Sequence, residues 1–505
     1  MPDVTSTDPR TGEVVDIVAQ ETTTEEVDRI CRAASAAAGA LEGLGRRGRA
    51  ALLEALADAL EARREDVVTV GDRETGLGRA RLDGELTRTG YQLRLFGDVL
   101  RDGGYLEAAI DHAGDTPMGP RPDLRRMLVP IGPVAVFGSS NFPLAFSVPG
   151  GDTASALAAG CPVVVKAHGS HPATSQLCFE LLDLAARRTG APDGTLGIVH
   201  GQQAGADLVA HPAIRAVGFT GSVTGGRALL QIIERRPDPI PFFGELSSLN
   251  PVVVTPAAAA ERAERIGAEL VGSATLGAGQ FCTKPGLVFV PGGRDGDNVV
   301  AAMAEAVATS GSQVLLNAGI ADAFERISSR LAQAPGMRTV AHGESASDGE
   351  RGFRATPLLL ATTAPDLPRE ATEECFGPVT VVARYDGEAE LFAALEAMPS
   401  SLTASVLRAQ GERKLPVELS RRLRPYAGRL IYDGYPTGVA VSWAQHHGGP
   451  WPSTNSQHTS VGTTAIRRFL RPVTWQNAPV DVLPEELTDD YRGIARRVDG
   501  VLRLP

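Results

Sequence analysis

The first hundred residues carry the hydrophobic pattern of amphipathic helices. Leu53, Leu56 and Leu60 recur at the helical period of about 3.6 residues, and Thr23 followed by Glu26 has the spacing of a capping box at a helix start. This pattern predicts several helices whose apolar faces cover a sheet.

From Val134 onwards, short β-rich runs alternate with helical segments. The pattern predicts strands over residues 134–137, 162–166, 196–199 and 216–220, and helices over residues 152–159, 174–188 and 223–234. Such alternation is typical of a parallel sheet in an α/β domain. Ligands of these sheets bind beyond the carboxyl ends of the strands, so a site is expected there.

A second alternating series begins near Leu246 and continues to about residue 440. It predicts strands over residues 252–254, 287–290, 379–383, 404–407 and 429–432, a helix over residues 257–276 and a surface loop over residues 343–352. These elements are enough for a second α/β domain. The residues near the C-terminus, with Pro479 and Pro484 among scattered charges, predict an extension that needs a partner surface.

Composition narrows the class of protein. A chain of 505 residues is long enough for two or three domains, and 43% hydrophobic with 22% charged residues is ordinary for globular proteins. The 49 Lys and Arg residues are outnumbered by 60 Asp and Glu residues, which gives a net charge of −11. This balance favours neither a nucleic-acid partner nor an anionic membrane.

Targeting and cysteine signals point to the cytoplasm. The N-terminus has neither the basic start nor the apolar run of a secretory signal. Residues 127–151 carry no charge, but prolines interrupt them, so strand and loop are expected rather than a membrane helix. Five cysteines without short regular spacing fit neither a disulfide framework nor a zinc site, and indicate a reducing compartment.

Cys282 is the leading candidate nucleophile because it follows a run of small residues, Gly277-Ala278-Gly279, at a predicted turn. A cysteine needs a shifted pKa or a neighbouring base to attack at neutral pH. Glu245, set among apolar and small residues, is the candidate base. Each residue alone has an ordinary structural alternative, a buried thiol or a salt-bridged carboxylate. Cys31, Cys161 and Cys178 are assigned to the core, and Cys375 stays open.

Two features indicate a dinucleotide site. The segment Phe219-Thr220-Gly221-Ser222-Val223-Thr224-Gly225-Gly226 joins a predicted strand to a predicted helix, whose N-terminus could hold a diphosphate. It is not a G-x-G-x-x-G motif, and by itself it could be a simple turn. Lys166 ends a valine-rich strand at the edge where a ribose or phosphate would lie, although a lone lysine there is commonly just solvated.

Short motifs occur in one order along the chain: Ser140-Asn141-Phe142-Pro143, Val165-Lys166, Phe219-Thr220-Gly221-Ser222, Gly244-Glu245-Leu246, Gly279-Gln280-Phe281-Cys282 and Glu373-Glu374-Cys375-Phe376-Gly377-Pro378. Together they resemble the NAD(P)-dependent aldehyde dehydrogenase family over about residues 8 to 480. Residues 150–160, 438–441 and 447–450 are most similar to the branch of fatty-aldehyde and α-ketoglutaric semialdehyde dehydrogenases.

The resemblance implies a mechanism in which Cys282 attacks the aldehyde carbonyl and forms a thiohemiacetal. The Asn141 amide and the Cys282 backbone N–H would stabilise the oxyanion. After hydride transfer to the nicotinamide, Glu245 would activate the water that hydrolyses the thioester to a carboxylic acid.

The resemblance also implies the cofactor residues, the domains and the assembly. Lys166 would bind the adenosine ribose or its phosphate, Gly221 and Ser222 the diphosphate, and Glu374 and Phe376 the nicotinamide ribose and ring. The implied fold is a Rossmann-type cofactor domain over residues 1–245, with part of an oligomerisation arm near 105–130, and an α/β catalytic domain over residues 246–440. Residues 441–505 would return to the cofactor domain and complete an oligomerisation extension, in a homodimer or homotetramer.

Two departures from the family pattern bear on function. NAD-preferring members commonly carry an acid three positions after the strand-end lysine, whereas this chain reads Lys166-Ala167-His168-Gly169. We therefore expect NADP to be used at least as well as NAD, with His168 or His171 as further sources of attraction for a phosphate. Lys284 stands where the branch often has an amide; near Cys282 its charge would favour the thiolate, and in solvent it would have little effect.

Three functions remain open at this stage. The leading one is a hydrolytic aldehyde dehydrogenase that acts on α-ketoglutaric semialdehyde or on a medium- or long-chain aliphatic aldehyde. A CoA-acylating relative would not need Glu245, and an inactive binding or structural homologue would not need Cys282, Glu245 and Asn141 together.

Overall fold

A β-hairpin opens the chain in the computed structural model, which describes residues 1–346 and 351–505. Its antiparallel strands are β1 (Asp3–Asp8) and β2 (Glu13–Gln20). The hydrophobic pattern predicts only helices in this region, so the hairpin is a difference from the prediction. Most of β2 is exposed, so it lacks the alternation of apolar and polar positions that marks a half-buried strand. Residues 347–350, within the predicted loop 343–352, lie outside the described residues.

The predicted N-terminal helices follow: α1 (Thr24–Gly43), α2 (Gly45–Ala62), α3 (Arg64–Thr75) and α4 (Arg79–Asp102). The capping box is confirmed, because the Thr23 hydroxyl accepts from the Glu26 N–H at 3.2 Å and the Glu26 carboxylate accepts from the Thr23 N–H at 3.0 Å. Leu53, Leu56 and Leu60 are buried in one cluster with residues of the first parallel sheet. The helices therefore cover that sheet, as predicted.

Four short strands follow the N-terminal helices along the chain. They are β3 (Ala109–Asp111), β4 (Gly114–Thr116), β5 (Gly119–Arg121) and β6 (Leu124–Pro130); β4 pairs with β5, and β3 with β6. The uncharged residues 127–151 form the end of β6, the next strand and a loop, as expected. In the described part of the chain, no helix has the length and apolar character needed to cross a membrane.

The first α/β series builds a parallel sheet of five strands in the order β9-β8-β7-β10-β11. Its elements are β7 (Val134–Phe137), α5 (Gly151–Ala159), β8 (Val163–Lys166), α6 (Pro172–Arg188), β9 (Leu196–Val199), α7 (Gln202–Ala210), β10 (Ala216–Thr220), α8 (Val223–Glu234) and β11 (Phe242–Glu245). The predicted strands and helices are confirmed, and α7 and β11 are additional. The strand order reverses between β7 and β10, which is where sheets of this kind bind dinucleotides.

The second series builds a sheet of seven strands in the order β15-β17-β18-β13-β12-β19-β20, in which only β15 is antiparallel. Its elements are β12 (Val252–Val254), α9 (Pro256–Thr275), β13 (Leu287–Pro291), α10 (Gly293–Ala308), β14 (Gln313–Val314), α11 (Ala318–Ala332), β15 (Arg338–His342), β16 (Arg354–Ala355), β17 (Leu358–Thr363), β18 (Val379–Tyr385), α12 (Glu388–Glu396), β19 (Ser401–Leu407), α13 (Lys414–Leu423) and β20 (Ala427–Tyr432). The short strands β14 and β16 pair separately.

A third sheet joins distant parts of the chain. The C-terminal strands β21 (Leu470–Gln476), β22 (Arg496–Val498) and β23 (Val501–Arg503) combine with β3 and β6 in the order β21-β6-β3-β22-β23. This sheet contains the segments that the sequence analysis assigned to an oligomerisation arm and extension. The α/β fold class is thus confirmed, while the exact domain boundaries at residues 245 and 440 stay a prediction.

Candidate active site

The candidate residues of the first sheet meet at its carboxyl edge. Lys166 ends β8 opposite Phe137, the last residue of β7, and the loop after β7 carries Asn141. Glu245 ends β11 opposite Thr220, the last residue of β10, and Gly221 follows at once. Parallel strands place all these positions at one edge, as the sequence analysis expected.

Cys282 lies in the loop between α9 and β13, and this loop has a constrained backbone. Gly279 has φ +65°, and a Cβ there would lie 2.3 Å from the carbonyl oxygen of Gly377, so glycine is required. The Asn250 side chain holds the far side of the loop, because its Nδ2 donates to the Cys282 carbonyl at 2.8 Å and to the Lys284 carbonyl at 3.0 Å. The thiol-bearing residue is therefore fixed in place but remains partly exposed.

The structure brings Cys282 and Glu245 together through a residue to which the sequence analysis assigned no role. His447 Nε2 lies 3.6 Å from Cys282 Sγ and 2.9 Å from Glu245 Oε1. A second contact to the carboxylate comes from Ser460, whose hydroxyl donates to Glu245 Oε2 at 3.3 Å. The ligand atoms of Cys282, His447 and Glu245 all lie within 4.8 Å of one another, a set compact enough to hold a metal ion as well.

Burial fixes the tautomer of His447, whose side chain is completely inaccessible. Its Nδ1 is buried and has no hydrogen-bond partner among the residues that the structure describes. A proton on Nδ1 would leave an unsatisfied buried donor, whereas a proton on Nε2 can be donated to the Glu245 carboxylate. His447 is therefore assigned as a donor at Nε2 that orients Glu245, and Glu245 is the group left to accept a proton.

The Cys282 thiol does not ionise readily by itself. Burial raises its pKa well above the usual value, and the nearby carboxylates of Glu245 and Glu374 raise it further, while the Arg429 charge lowers it. At neutral pH the resting group is a thiol, so attack on a carbonyl requires transfer of its proton to a neighbouring base.

Asn141 faces the nucleophile loop from the first sheet. Its Nδ2 donates to the carbonyl of Gln280, two residues before Cys282, at 2.8 Å. Arg81 donates to the Asn141 carbonyl at 2.6 Å and stacks between the rings of Phe142 and Phe281, with its Cζ 5.0 and 4.6 Å from their centroids. An amide nitrogen has two hydrogens, so one remains for a substrate oxygen.

The carboxyl edge of the first sheet also carries a charged side chain and backbone N–H groups that suit a dinucleotide. The Lys166 ammonium makes no hydrogen bond or ion pair with any group in residues 1–346 or 351–505, which leaves it available to a ligand. Ser222 caps α8 and its hydroxyl accepts from the Gly225 N–H at 3.1 Å. The helix N-terminus after Gly221 thus points free N–H groups to the edge, as a diphosphate would need.

The two histidines after Lys166 do not supply positive charge, which corrects the expectation from the sequence. Burial lowers the pKa of His168 well below its usual value, and the charges of His171 and Lys166 lower it further. Burial also lowers the pKa of His171. The His168 Nδ1 accepts from the Ser170 N–H at 3.1 Å, and its ring stacks on His171. His168 can still donate one neutral hydrogen bond.

An acid does act on Lys166, but from a remote part of the sequence. Burial lowers the pKa of Lys166, and the Glu21 carboxylate opposes this shift. Glu21 follows β2, and it packs against the Gly201 position, where an added Cβ would lie 2.9 Å from the Glu21 side chain. The hairpin missed in the sequence thus delivers an acidic residue to the cofactor edge.

Glu374 lies in the loop before β18, and Lys284 lies in the Cys282 loop before β13. Burial raises the pKa of Glu374 to about 6, although the hydrogen bond from the Ser247 hydroxyl, 2.6 Å long, and the Lys284 charge lower it in part. Glu374 and its neighbour Phe376 are both half-buried, so each presents part of its side chain to the cleft.

Lys284 adopts neither orientation considered in the sequence analysis. Its buried Nζ donates to the carbonyl oxygens of Cys375, Gly377 and Val379 at 2.7, 3.0 and 2.9 Å. Lys284 therefore ties the Cys282 loop to the loop that carries Glu374. Its ammonium group donates to these carbonyls and not to the thiol. Cys375 and the three predicted core cysteines, 31, 161 and 178, are buried, and all five cysteines of the described chain are unpaired.

Comparison with known proteins agrees with this geometry. The aldehyde dehydrogenase family model matches residues 2–467. The chain is 46% identical to α-ketoglutaric semialdehyde dehydrogenase 2 of Azospirillum brasilense, over 98% of this chain and 95% of that protein. It is 42% identical to α-ketoglutaric semialdehyde dehydrogenase of Acinetobacter baylyi, over 95% of this chain and 92% of that protein.

Solved structures share the fold. A putative aldehyde dehydrogenase from Burkholderia cenocepacia superposes with a TM-score of 0.79 at 25% identity, over 94% of this chain and 97% of that chain. A mutant of aldehyde dehydrogenase C from Pseudomonas syringae, solved with NAD+ and octanal, superposes with a TM-score of 0.81 at 24% identity, over 95% of both chains.

Proposed function

The chain belongs to the aldehyde dehydrogenase family, and we propose that Cys282, Glu245 and Asn141 carry out its oxidation of an aldehyde to a carboxylic acid. The observation that carries this assignment is the contact of His447 with both Cys282 Sγ and Glu245 Oε1 at 3.6 and 2.9 Å. It places the Cys282 thiol within 4.8 Å of a carboxylate that can take its proton.

The first half of the reaction forms a covalent adduct. The thiol proton moves to Glu245 while Cys282 Sγ bonds to the aldehyde carbon, which gives a thiohemiacetal. The remaining Asn141 amide hydrogen and the Cys282 backbone N–H stabilise the oxygen, because donors placed in advance cost no reorganisation during the reaction. Bound NAD(P)+ supplies the acceptor for the hydride that leaves this carbon, and the product is a thioester.

The second half releases the acid. Glu245, after passing its first proton to solvent, takes a proton from a water molecule that attacks the thioester carbon. The C–S bond breaks, the carboxylic acid leaves and Cys282 regains a proton. The donor contacts from His447 and Ser460 hold the carboxylate in one orientation for both steps. A CoA-acylating enzyme would not need this base.

The cofactor proposal is NADP, with NAD also accepted. The unpaired Lys166 ammonium and the neutral His168 ring suit an adenosine ribose or its 2′-phosphate, and no acid occupies the third position after Lys166. Gly221 and Ser222 would lie along the diphosphate, and Glu374 and Phe376 would hold the nicotinamide ribose and ring. The negative charge of Glu21 near Lys166 would repel a 2′-phosphate, which reduces the expected preference for NADP over NAD.

The proposed substrate is α-ketoglutaric semialdehyde, the compound in the names of the relatives at 46% and 42% identity. A medium- or long-chain aliphatic aldehyde is the alternative substrate. We also propose a homodimer or homotetramer formed through the sheet of β3, β6 and β21–β23, and a cytoplasmic location, which suits five unpaired cysteines across the described residues.

One assay tests the function. Purified protein is given NADP or NAD with α-ketoglutaric semialdehyde, octanal or pentanal, with and without CoA, and the reduced cofactor is followed by absorbance. The proposal expects turnover without CoA, none in Cys282→Ala, and retained cofactor binding in that variant. Strict dependence on CoA would instead support the acylating alternative, and absence of any turnover would support an inactive homologue.

A further inference from the structure

Three arginines lie close to the nucleophile, and Arg88 on α4 differs from the others in its contacts. Its Nε donates to the Val439 carbonyl at 3.2 Å and its Nη1 to the Gln92 amide oxygen at 3.3 Å. Its Nη2 is buried and has no hydrogen-bond partner anywhere in the described residues. No carboxylate within that part of the chain forms an ion pair with Arg88. An unpaired buried guanidinium nitrogen is costly and calls for a partner.

Arg88 is separated from the reacting thiol by only two side chains. Its Cζ lies 5.2 Å from the centroid of the Phe146 ring, and that ring lies 6.2 Å from the His447 ring. His447 in turn contacts Cys282 Sγ at 3.6 Å. Burial lowers the pKa of Arg88, and the Glu85 and Glu245 carboxylates oppose this shift. Arg88 and Cys282 therefore flank the same pair of rings, Phe146 and His447.

The nearest acid does not neutralise Arg88 by direct contact. Glu85 lies one turn earlier on α4, and its Oε1 accepts from the N–H groups of Leu144 and Ala145, both at 2.9 Å. Its Oε2 is buried without a partner among the described groups, and burial raises the pKa of Glu85, which favours its neutral form. Arginine keeps its charge even when buried, so a positive charge remains two side chains away from the thiol.

The other two arginines also carry a buried nitrogen without a partner among the described residues, Nη1 of Arg81 and Nε of Arg429, but structural contacts hold their remaining groups. Arg81 holds the Asn141 carbonyl and is sandwiched between two phenylalanine rings. Arg429 donates through Nη1 to the Gly438 carbonyl at 3.0 Å and through Nη2 to the Pro436 carbonyl at 2.7 Å. Of these three arginines, only Arg88 has both an Nη2 without a partner among the described residues and a contact with the Phe146 ring.

We propose that Arg88 binds the carboxylate of a short ω-oxo acid whose aldehyde group lies at Cys282. The proposal rests on the function proposed above and identifies the group that selects the substrate class. Phe146, Phe142 and the apolar Val441 pack in one cluster and would face the methylene chain between the two ends. An arginine next to an otherwise apolar wall favours a substrate with one charged end over an uncharged aldehyde of equal length.

The test compares a charged and an uncharged aldehyde of equal chain length. kcat and KM are measured for glutaric semialdehyde and for pentanal in the wild type, Arg88→Met, Arg88→Lys and Arg94→Met. Arg94 lies on the same helix, but it is exposed and pairs with Asp58 at 2.6 Å, so its variant controls for loss of one surface charge. The proposal expects the ratio of kcat/KM for the charged over the uncharged aldehyde to fall roughly 10–100-fold in Arg88→Met, mainly through KM.

Arg88→Lys should recover part of this ratio, and Arg94→Met should keep it. Inhibition by glutarate, a dicarboxylate without an aldehyde, should weaken in parallel in Arg88→Met, which gives a binding readout for a variant with poor turnover. Equal ratios in the wild type and Arg88→Met, or unchanged inhibition by glutarate, would overturn the proposal. Failure of the proposed function is distinct, because the wild type would then oxidise neither aldehyde.

Discussion

The imidazole of His447 donates to the carboxylate of Glu245 across 2.9 Å, inside a pocket where the histidine side chain is completely buried. The two residues come from distant parts of the chain, the end of β11 and the segment after β20. This contact fixes the direction of the carboxylate that we propose as the base for Cys282. It makes His447 a positioning residue for that proposed base rather than a base in its own right.

Replacement of His447 by Phe should therefore lower kcat by roughly 10–100-fold, because Glu245 loses its better-placed donor and turns away from the thiol and the water. Phe approximates the ring volume, so the fold should persist. His447→Gln retains a donor and should recover part of kcat. Measurement of kcat and KM for both variants checks this, and it would be contradicted if Gln and Phe behaved alike or if KM alone changed.

Replacement of Glu245 by Gln should slow the attack of Cys282, which loses the base that takes its proton, and should stop hydrolysis of the thioester that still forms, since the amide cannot activate water. A slow burst of reduced cofactor without steady turnover is expected in stopped-flow absorbance. The same variant should shift the pH profile of iodoacetamide alkylation to lower pH, because the Glu245 charge is one of the groups that raise the pKa of Cys282. A burst as fast as that of the wild type would contradict the proposed role of Glu245 in attack and leave it a role in hydrolysis alone.

Replacement of Lys284 by Met should destabilise the protein without changing the thiol. Three buried carbonyls lose a charged donor, and a single bond of that kind contributes about 1.5–3 kcal/mol, so the midpoint of urea unfolding should fall clearly. The alkylation profile of Cys282 should coincide with that of the wild type. A shifted profile with unchanged unfolding would show that Lys284 acts on the thiol after all.

The parallel strands were predictable because buried valine-rich runs such as Val134–Phe137 and Val163–Lys166 are bounded by glycine, proline and helix signals. Cys282 and Glu245 are predicted as site residues because each lies in a distinctive short motif. His447 and Arg88 were not assigned roles, because their meaning depends on contacts that the linear sequence does not contain: His447 is 165 positions from Cys282. The contacts of Lys284 are unpredictable for the same reason, because the three carbonyls that accept from it lie more than 90 positions away in the sequence.

Cofactor binding should weaken as the pH falls through about 6, the value to which burial raises the pKa of Glu374. Above that pH, Glu374 is a carboxylate that can accept from ribose hydroxyls, and below it the protonated group loses acceptor capacity. KM for the cofactor should therefore rise between pH 7 and pH 5 in the wild type. Glu374→Gln should start from a higher KM and show a flatter profile; parallel profiles would assign the dependence to another group.

The remaining prediction concerns the choice of cofactor: the enzyme should use NADP at least as well as NAD. Lys166 is the cationic side chain proposed to meet the 2′-phosphate, because burial lowers the pKa of His168 and of His171, and Glu21 is the acid near Lys166. Glu21→Gln should raise the ratio of kcat/KM for NADP over NAD by roughly twofold to tenfold, and most strongly at low ionic strength, since partly exposed charges are screened by salt.

Glu25→Gln, an exposed change at the start of α1, is the matched control and should leave the ratio unchanged. A wild-type ratio that favours NAD by about tenfold or more, equivalent to about 1.4 kcal/mol, would contradict the preference. If Glu21→Gln then reversed that ratio, the remote carboxylate from the hairpin would be the group that the sequence motif lacks.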